Sequence, residues 1–235
     1  MSRYATVGGT VSEFRRARRP EQKAERRAHV LATARAMLGE GAVDLGMLSL
    51  NELARRAGMA KSNLYRYFET REAVLLALLW EEWVSWYEHM AASYRQPARG
   101  RPMLDALVRH LARTLGARPL LCALTTALPS VLERNLSEEA IREVKMRSLA
   151  SFREIGGFLA SRVPALSAEQ YAQLLSDGVC IIAGLYPIAF PAQASARVIA
   201  APEFALFRRD LARDLERFLL ALARDRVAHC DRVVT

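Results

Sequence analysis

The run Lys61–Tyr67 sets Lys61, Ser62, Asn63, Tyr65, Arg66 and Tyr67 around a single apolar residue, Leu64, with no acid among them. Such a set recognises rather than makes or breaks bonds. An Asn can bond an adenine edge at two points and a Lys can donate to a guanine edge. Tyr65, Arg66 and Tyr67 can hold phosphates and fix register without reading sequence. Catalytic chemistry has no comparable signal. Glu133, Glu154 and His110 stand isolated, and His229-Cys230-Asp231 are adjacent near the chain end. Cys122, Cys180 and Cys230 lack zinc spacing. No phosphate loop, nucleophile elbow or metal-binding helix occurs. We therefore expect no catalytic residue, no metal and no cofactor.

Two short helices must position these side chains. Ser49-Leu50-Asn51-Glu52 reads as a capping box opening the first, in which Ser49 accepts from the Glu52 N–H and Glu52 reaches back. Gly58 falls where a left-handed residue ends that helix, and the second runs from about Lys61 to Phe68. Leu50, Leu53, Ala54, Leu64 and Phe68 supply the apolar faces, and small Ala54 and Ala57 allow close approach. Two such helices joined by a Gly-containing turn form a helix-turn-helix; an αα-hairpin that only packs is the plainer alternative. Tyr65 could be partly core, and Arg55 and Arg56 a solvated face. Upstream, Val30, Leu31, Ala34, Met37 and Leu38 share one helical face, closed by Gly39 and Gly41. Downstream, Thr70 caps a helix from Arg71 to about Ser93.

Residues 21–80 resemble the DNA-binding domain of the TetR family of transcriptional regulators. The resemblance rests on Leu53-Ala54, Ala57-Gly58 and Leu64-Tyr65-Arg66-Tyr67-Phe68, followed by Thr70-Arg71-Glu72-Ala73-Val74. It implies double-stranded DNA as partner, with Ser49, Lys61, Ser62, Asn63, Tyr65, Arg66, Tyr67 and Arg71 as the contact set. Ala60 departs from the family's usual Ser at the start of the recognition helix, a lost cap at a cost of about 1 kcal/mol. The loop from Gly41 to Ser49 is slightly longer than usual.

The charge pattern agrees. The chain of 235 residues has a net charge of +9, and residues 1–70 hold 13 Lys and Arg against 7 Asp and Glu, a higher positive density than the rest. Such a module suits a phosphate polymer. Ala 39 and Leu 33 against Val 15 and Ile 6 mark an all-α protein and argue against a β-sandwich, a collagen or a disulfide scaffold. The N-terminus lacks an apolar signal region, and the odd, scattered cysteines suit a reducing cytoplasm. Residues 1–19 read as an unstructured basic arm, in which Arg15, Arg16, Arg18 and Arg19 form either a minor-groove arm or a free tail. No charge lies between Asp177 and Arg197, yet the apolar part from Val179 to Phe190 is too short to cross a bilayer. We expect a buried helix there and no membrane partner.

The expected layout is an arm over 1–19, a three-helix DNA-binding domain over 20–70 with its helix-turn-helix at 49–68, and a helical domain over 71–235. The resemblance implies that this last domain senses a ligand and dimerises. Its spacing predicts helices at 102–115, 119–127, 129–135, 138–162, 168–186 and 203–226. The last carries Phe204, Phe207, Leu211, Leu215, Phe218 and Leu222 as one apolar stripe, and the helix at 168–186 is apolar on most sides. Two over-apolar helices suggest a homodimer through a four-helix bundle, with paired recognition helices on a palindromic operator. Trp80, Trp83 and Trp86 cluster on the helix joining the two domains, followed by Tyr87, Met90 and Tyr94. Trp83, Tyr87, Met90, His110, Thr114, Thr125, Cys180 and Tyr186 are the candidate ligand-pocket residues, with Tyr171 beside them. A mostly apolar cavity favours a hydrophobic small molecule. The function expected is a ligand-responsive repressor released from DNA by that molecule. A helical lipid carrier or enzyme using the same cavity is the alternative.

Overall fold

A computed structural model describes residues 11–39, 43–96 and 103–233; the side chains of 11–20, 135 and 230–233 lie outside that description. Among the described residues every regular element is helical, as the composition requires. In chain order the α-helices are α1 (Val11–Leu38), α2 (Leu50–Arg56), α3 (Lys61–Tyr65), α4 (Arg71–Ser93), α5 (Met103–Gly116), α6 (Pro119–Ala127), α7 (Glu138–Arg162), α8 (Ala168–Ala189), α9 (Gln193–Ile199) and α10 (Leu211–Val233), while the helix expected at 129–135 is a π segment (Leu128–Leu132) followed by a 3-10 turn (Glu133–Asn135). Two compact units result: residues 1–39 with 46–74, and residues 40–45 with 75–235.

In the first unit α1 lays Val30, Leu31, Ala34 and Leu38 into a core completed by Leu48, Leu53, Ala54, Leu64, Phe68 and Val74. The spacing of the α1 residues makes one stripe, so a single helix face is dehydrated. α1 is already helical at Val11, where the sequence predicted an unstructured segment to 19. Glu13, Ala17 and the four arginines of that segment are strong helix formers, and their propensity favours a helix that continues on the N-terminal side of Pro20. Residues 1–10 of the expected arm lie outside the described residues.

In the second unit α8 packs against α6, α7 and α10, and α10 also packs on α5. Tyr171, Leu174, Leu175, Ile182 and Leu185 of α8 are buried, with Leu211, Leu215, Leu219 and Ala223 of α10. Glycine permits the closest approach: a Cβ on Gly156 of α7 would strike the Ala168 carbonyl oxygen and come within 3.0 Å of the Ala172 nitrogen of α8. By length and hydropathy alone α8 is the one helix among the described residues able to cross a membrane. It is longer than expected because it runs through Pro187, which leaves the carbonyl four positions back without its helical N–H partner.

The helix expected at 203–226 is two elements. A 3-10 segment covers Pro202–Phe207, Arg208 is extended, and α10 starts at Leu211. Asp210 causes the new start by accepting from the Arg213 N–H at 2.8 Å, since short polar side chains favour caps over helix interiors. Phe204 and Phe207 are therefore off the α10 stripe, and Phe207 and Leu206 are exposed. α9, also unexpected, buries no side chain.

Candidate nucleic-acid interface

The turn between α2 and α3 sets the interface. Ala57 N–H donates to the Leu53 carbonyl at 2.8 Å and Met59 N–H to that of Ala54 at 3.0 Å. Gly58 between them has φ +64°, the left-handed conformation the sequence assigned to it. At the start of α2, Ser49 Oγ accepts from the Glu52 N–H at 3.2 Å. The other half of the expected capping box is absent. The Glu52 carboxylate instead takes Arg55 Nε at 2.8 Å and Arg56 Nε at 2.7 Å. Those hydrogen bonds hold its carboxyl down to about 2. Arg55 and Arg56 thus share an internal counter-charge on an exposed face.

α3 begins without a side-chain cap at Ala60, whose carbonyl accepts from Asn63 and Leu64. Leu64 and Phe68 are buried and act as the two anchors. With those turned in, Lys61, Ser62, Asn63, Tyr65 and Arg66 are exposed, and Tyr67 is half-buried. Lys61 Nζ sits 5.7 Å from the centre of the Tyr65 ring. Tyr65 is 41% exposed, which favours its surface role over core packing. Ser49 is exposed as well. Arg71 is half-buried in the first turn of α4, after Thr70, whose Oγ1 caps the Ala73 N–H at 3.0 Å. α1 is fixed to this pair within the same unit: Arg27 lies 4.9 Å from the Phe68 ring centre, and His29 Nε2 is 3.2 Å from the Ala57 carbonyl.

The candidate pocket residues separate. Trp83 and Thr125 line one small cavity with Leu79, Trp80, Leu128, Ser148, Phe152 and Val179. Its volume is about 40 Å³, room for two or three waters. Trp80 belongs to the tryptophan cluster the sequence singled out, whereas Ser148 and Phe152 of α7, with Leu79, Leu128 and Val179, are lining residues it passed over; their scatter over several elements leaves no local pattern. The other candidates serve packing. Trp86 Nε1 donates to Thr114 Oγ1 at 3.1 Å, both buried. His110 Nδ1 accepts from Arg113 at 3.2 Å, so its Nε2–H donates to the Met90 carbonyl at 3.0 Å. Burial holds the His110 imidazole below its usual pKa, against the opposing Met90 bond. Met90 is fully buried, and Tyr87 stands edge-on to Phe158. Tyr171 donates to the Val163 carbonyl at 2.8 Å. Tyr186 is buried, its hydroxyl accepting from Val43 N–H at 3.4 Å. Cys180 is exposed on α8 and lines no cavity described here, because its helix turns the opposite face inward.

An all-helical chain with a helix-turn-helix held by a third helix, and its cationic second helix turned outward, defines a DNA-binding regulator. Family comparison gives the particular kind. The profile of bacterial regulatory proteins of the tetR family matches residues 30–78, and that of the tetracyclin repressor-like C-terminal domain matches residues 80–224. The chain belongs to the TetR family of transcription regulators. Among solved structures, a TetR family transcriptional regulator from Chloroflexus aurantiacus J-10-FL is 22% identical, with 88% of this chain and 94% of that chain covered and a TM-score of 0.41. No curated protein matches the chain.

Proposed function

We propose that the chain is a cytoplasmic repressor that binds a palindromic operator as a homodimer and is released by a hydrophobic small molecule. The observation that carries the DNA contacts is the face of α3 and the turn that follows it: five exposed polar or cationic side chains from Lys61 to Arg66, no carboxylate, and two buried anchors, Leu64 and Phe68, that fix its direction. Lys61 and Asn63 read base edges. Ser49, Ser62, Tyr65, Arg66, Tyr67 and Arg71 hold phosphates. Two-fold pairing through α8 and α10 covers the exposed row of Cys180, Gly184 and Ile188 on α8, and Phe218 and Ala221 on α10. It brings two α3 helices to successive major grooves.

The effector enters at the Trp83–Thr125 cavity. A drug-sized ligand needs at least about 300 Å³, so binding must displace the lining side chains. α4 carries Leu79, Trp80 and Trp83 of that lining and also Arg71 to Val74 of the first unit. Movement of α4 is therefore the coupling element. A hundredfold loss of DNA affinity requires about 2.7 kcal/mol of coupling. Gel shift of the purified chain with its upstream intergenic DNA at stated salt tests the reading. One shifted complex of two chains per site, dissolved by an apolar effector, supports it. Equal operator affinity with and without every small molecule that binds would refute the switch.

A further inference from the structure

A second cationic feature lies in the first unit, outside the helix-turn-helix. Gln22, Lys23 and Arg26 of α1 and Arg66 and Tyr67 at the end of α3 line one groove of about 590 Å³. Three of the five are cations, the other two are neutral hydrogen-bonding groups, and no carboxylate lines it; Glu21, Glu25 and Glu69 are not among the lining residues. Lys23, Arg26 and Arg66 are exposed, and among the described residues none of them has an ion-pair partner. Three uncompensated cations around one groove repel each other, an arrangement relieved by an anion.

The groove is also held in shape. Arg27 over the Phe68 ring and His29 at the Ala57 carbonyl fix α1 against the helix pair one and three residues beyond the lining segment. Arg66 directly follows α3, so the groove continues the exposed face of Lys61, Asn63 and Tyr65. Gln22, Lys23 and Arg26 lie before residue 30, where the match to the tetR profile begins.

We infer that this groove is a phosphate clamp for the DNA backbone, in which Lys23 and Arg26 of α1 grip phosphodiester groups next to those held by Arg66 and Tyr67. It rests on the DNA-binding role of α3 and adds affinity and register without sequence preference. Arginine can take a phosphate through two N–H groups at once, while lysine acts as a point charge. Each backbone phosphate neutralised releases counterions and adds about 0.9 to the slope of log affinity against log salt.

The test is fluorescence anisotropy with a random-sequence duplex of about 30 bp, three helical turns, for the wild-type chain, K23A/R26A and a charge-matched control, R142A/R197A. We expect the slope for K23A/R26A to be shallower by about 1.8 per bound chain. Between about 50 and 200 mM salt that variant then loses about 12-fold less affinity per chain than wild type. The control keeps the wild-type slope, and all three melt alike because the replaced residues are exposed on helices. A wild-type slope in K23A/R26A would overturn the clamp while leaving the reading of α3 intact. So would an unchanged slope together with stabilisation by inorganic phosphate that K23A/R26A abolishes, which would make the groove a free-phosphate site. No duplex binding by the wild-type chain at any salt would overturn both readings.

Discussion

Replacing Gly58 by Ala isolates the backbone requirement of the turn that aims α3. Gly58 has φ +64°, and a Cβ built there meets nothing within 4 Å. The cost is therefore conformational and not steric. Left-handed geometry costs an L-residue about 1–2 kcal/mol, and the smaller unfolded entropy of Ala returns about 0.4–1 kcal/mol. The net loss is about 1 kcal/mol, a factor of about five in an opening equilibrium. Tryptophan fluorescence cannot report it, because Trp80, Trp83 and Trp86 all belong to the second unit. Native-state hydrogen exchange can. In G58A the amides of Val30, Leu31 and Leu64 should exchange about fivefold faster, with those of α8 unchanged. G58N should lose less, since Asn tolerates this region. Unchanged protection in G58A, or a larger loss in G58N, would refute the reasoning.

Three further outcomes follow from the same physical reasoning. K61A and N63A should each cost about 1–3 kcal/mol of operator binding and relax preference at one base pair, with thermal unfolding unchanged, as operator titration and calorimetry would show. Burial holds His110 below its usual pKa, so the folded chain resists a proton that the unfolded chain accepts. Stability should then fall as pH drops below about 6.5, and urea midpoints in H110Q should show a weaker acid dependence. In α7 the neighbours Gly156 and Gly157 should respond with opposite signs. G156A forces a Cβ against the backbone of α8 and should destabilise by about 1–3 kcal/mol. G157A meets open space and should stabilise by up to about 1 kcal/mol through helix propensity.

Short-range patterns carried most of the architecture. Helix α7 spans Glu138–Arg162 and α6 spans Pro119–Ala127, as spacing and start signals implied. Thr70 caps as its position suggested, and Ser137 opens α7 by accepting from the Ala140 N–H. The break before α10 was less legible, because Phe204 and Phe207 continue the apolar period and only the Asp210 side chain, competing for the Arg213 N–H, ends it.

The amino-acid order alone determined that the chain is helical and where its helix-turn-helix falls. Those properties depend on period, caps and one left-handed glycine, all local. Tertiary structure decided which polar residues face a cavity and which satisfy one another. Thr114 and His110 look like pocket groups until Trp86 and the Met90 carbonyl take their hydrogen bonds. It also brought Lys23 and Arg26 beside Arg66 across some forty residues of chain. Burial and long-range charge proximity depend on how helices pack, and no local period records that.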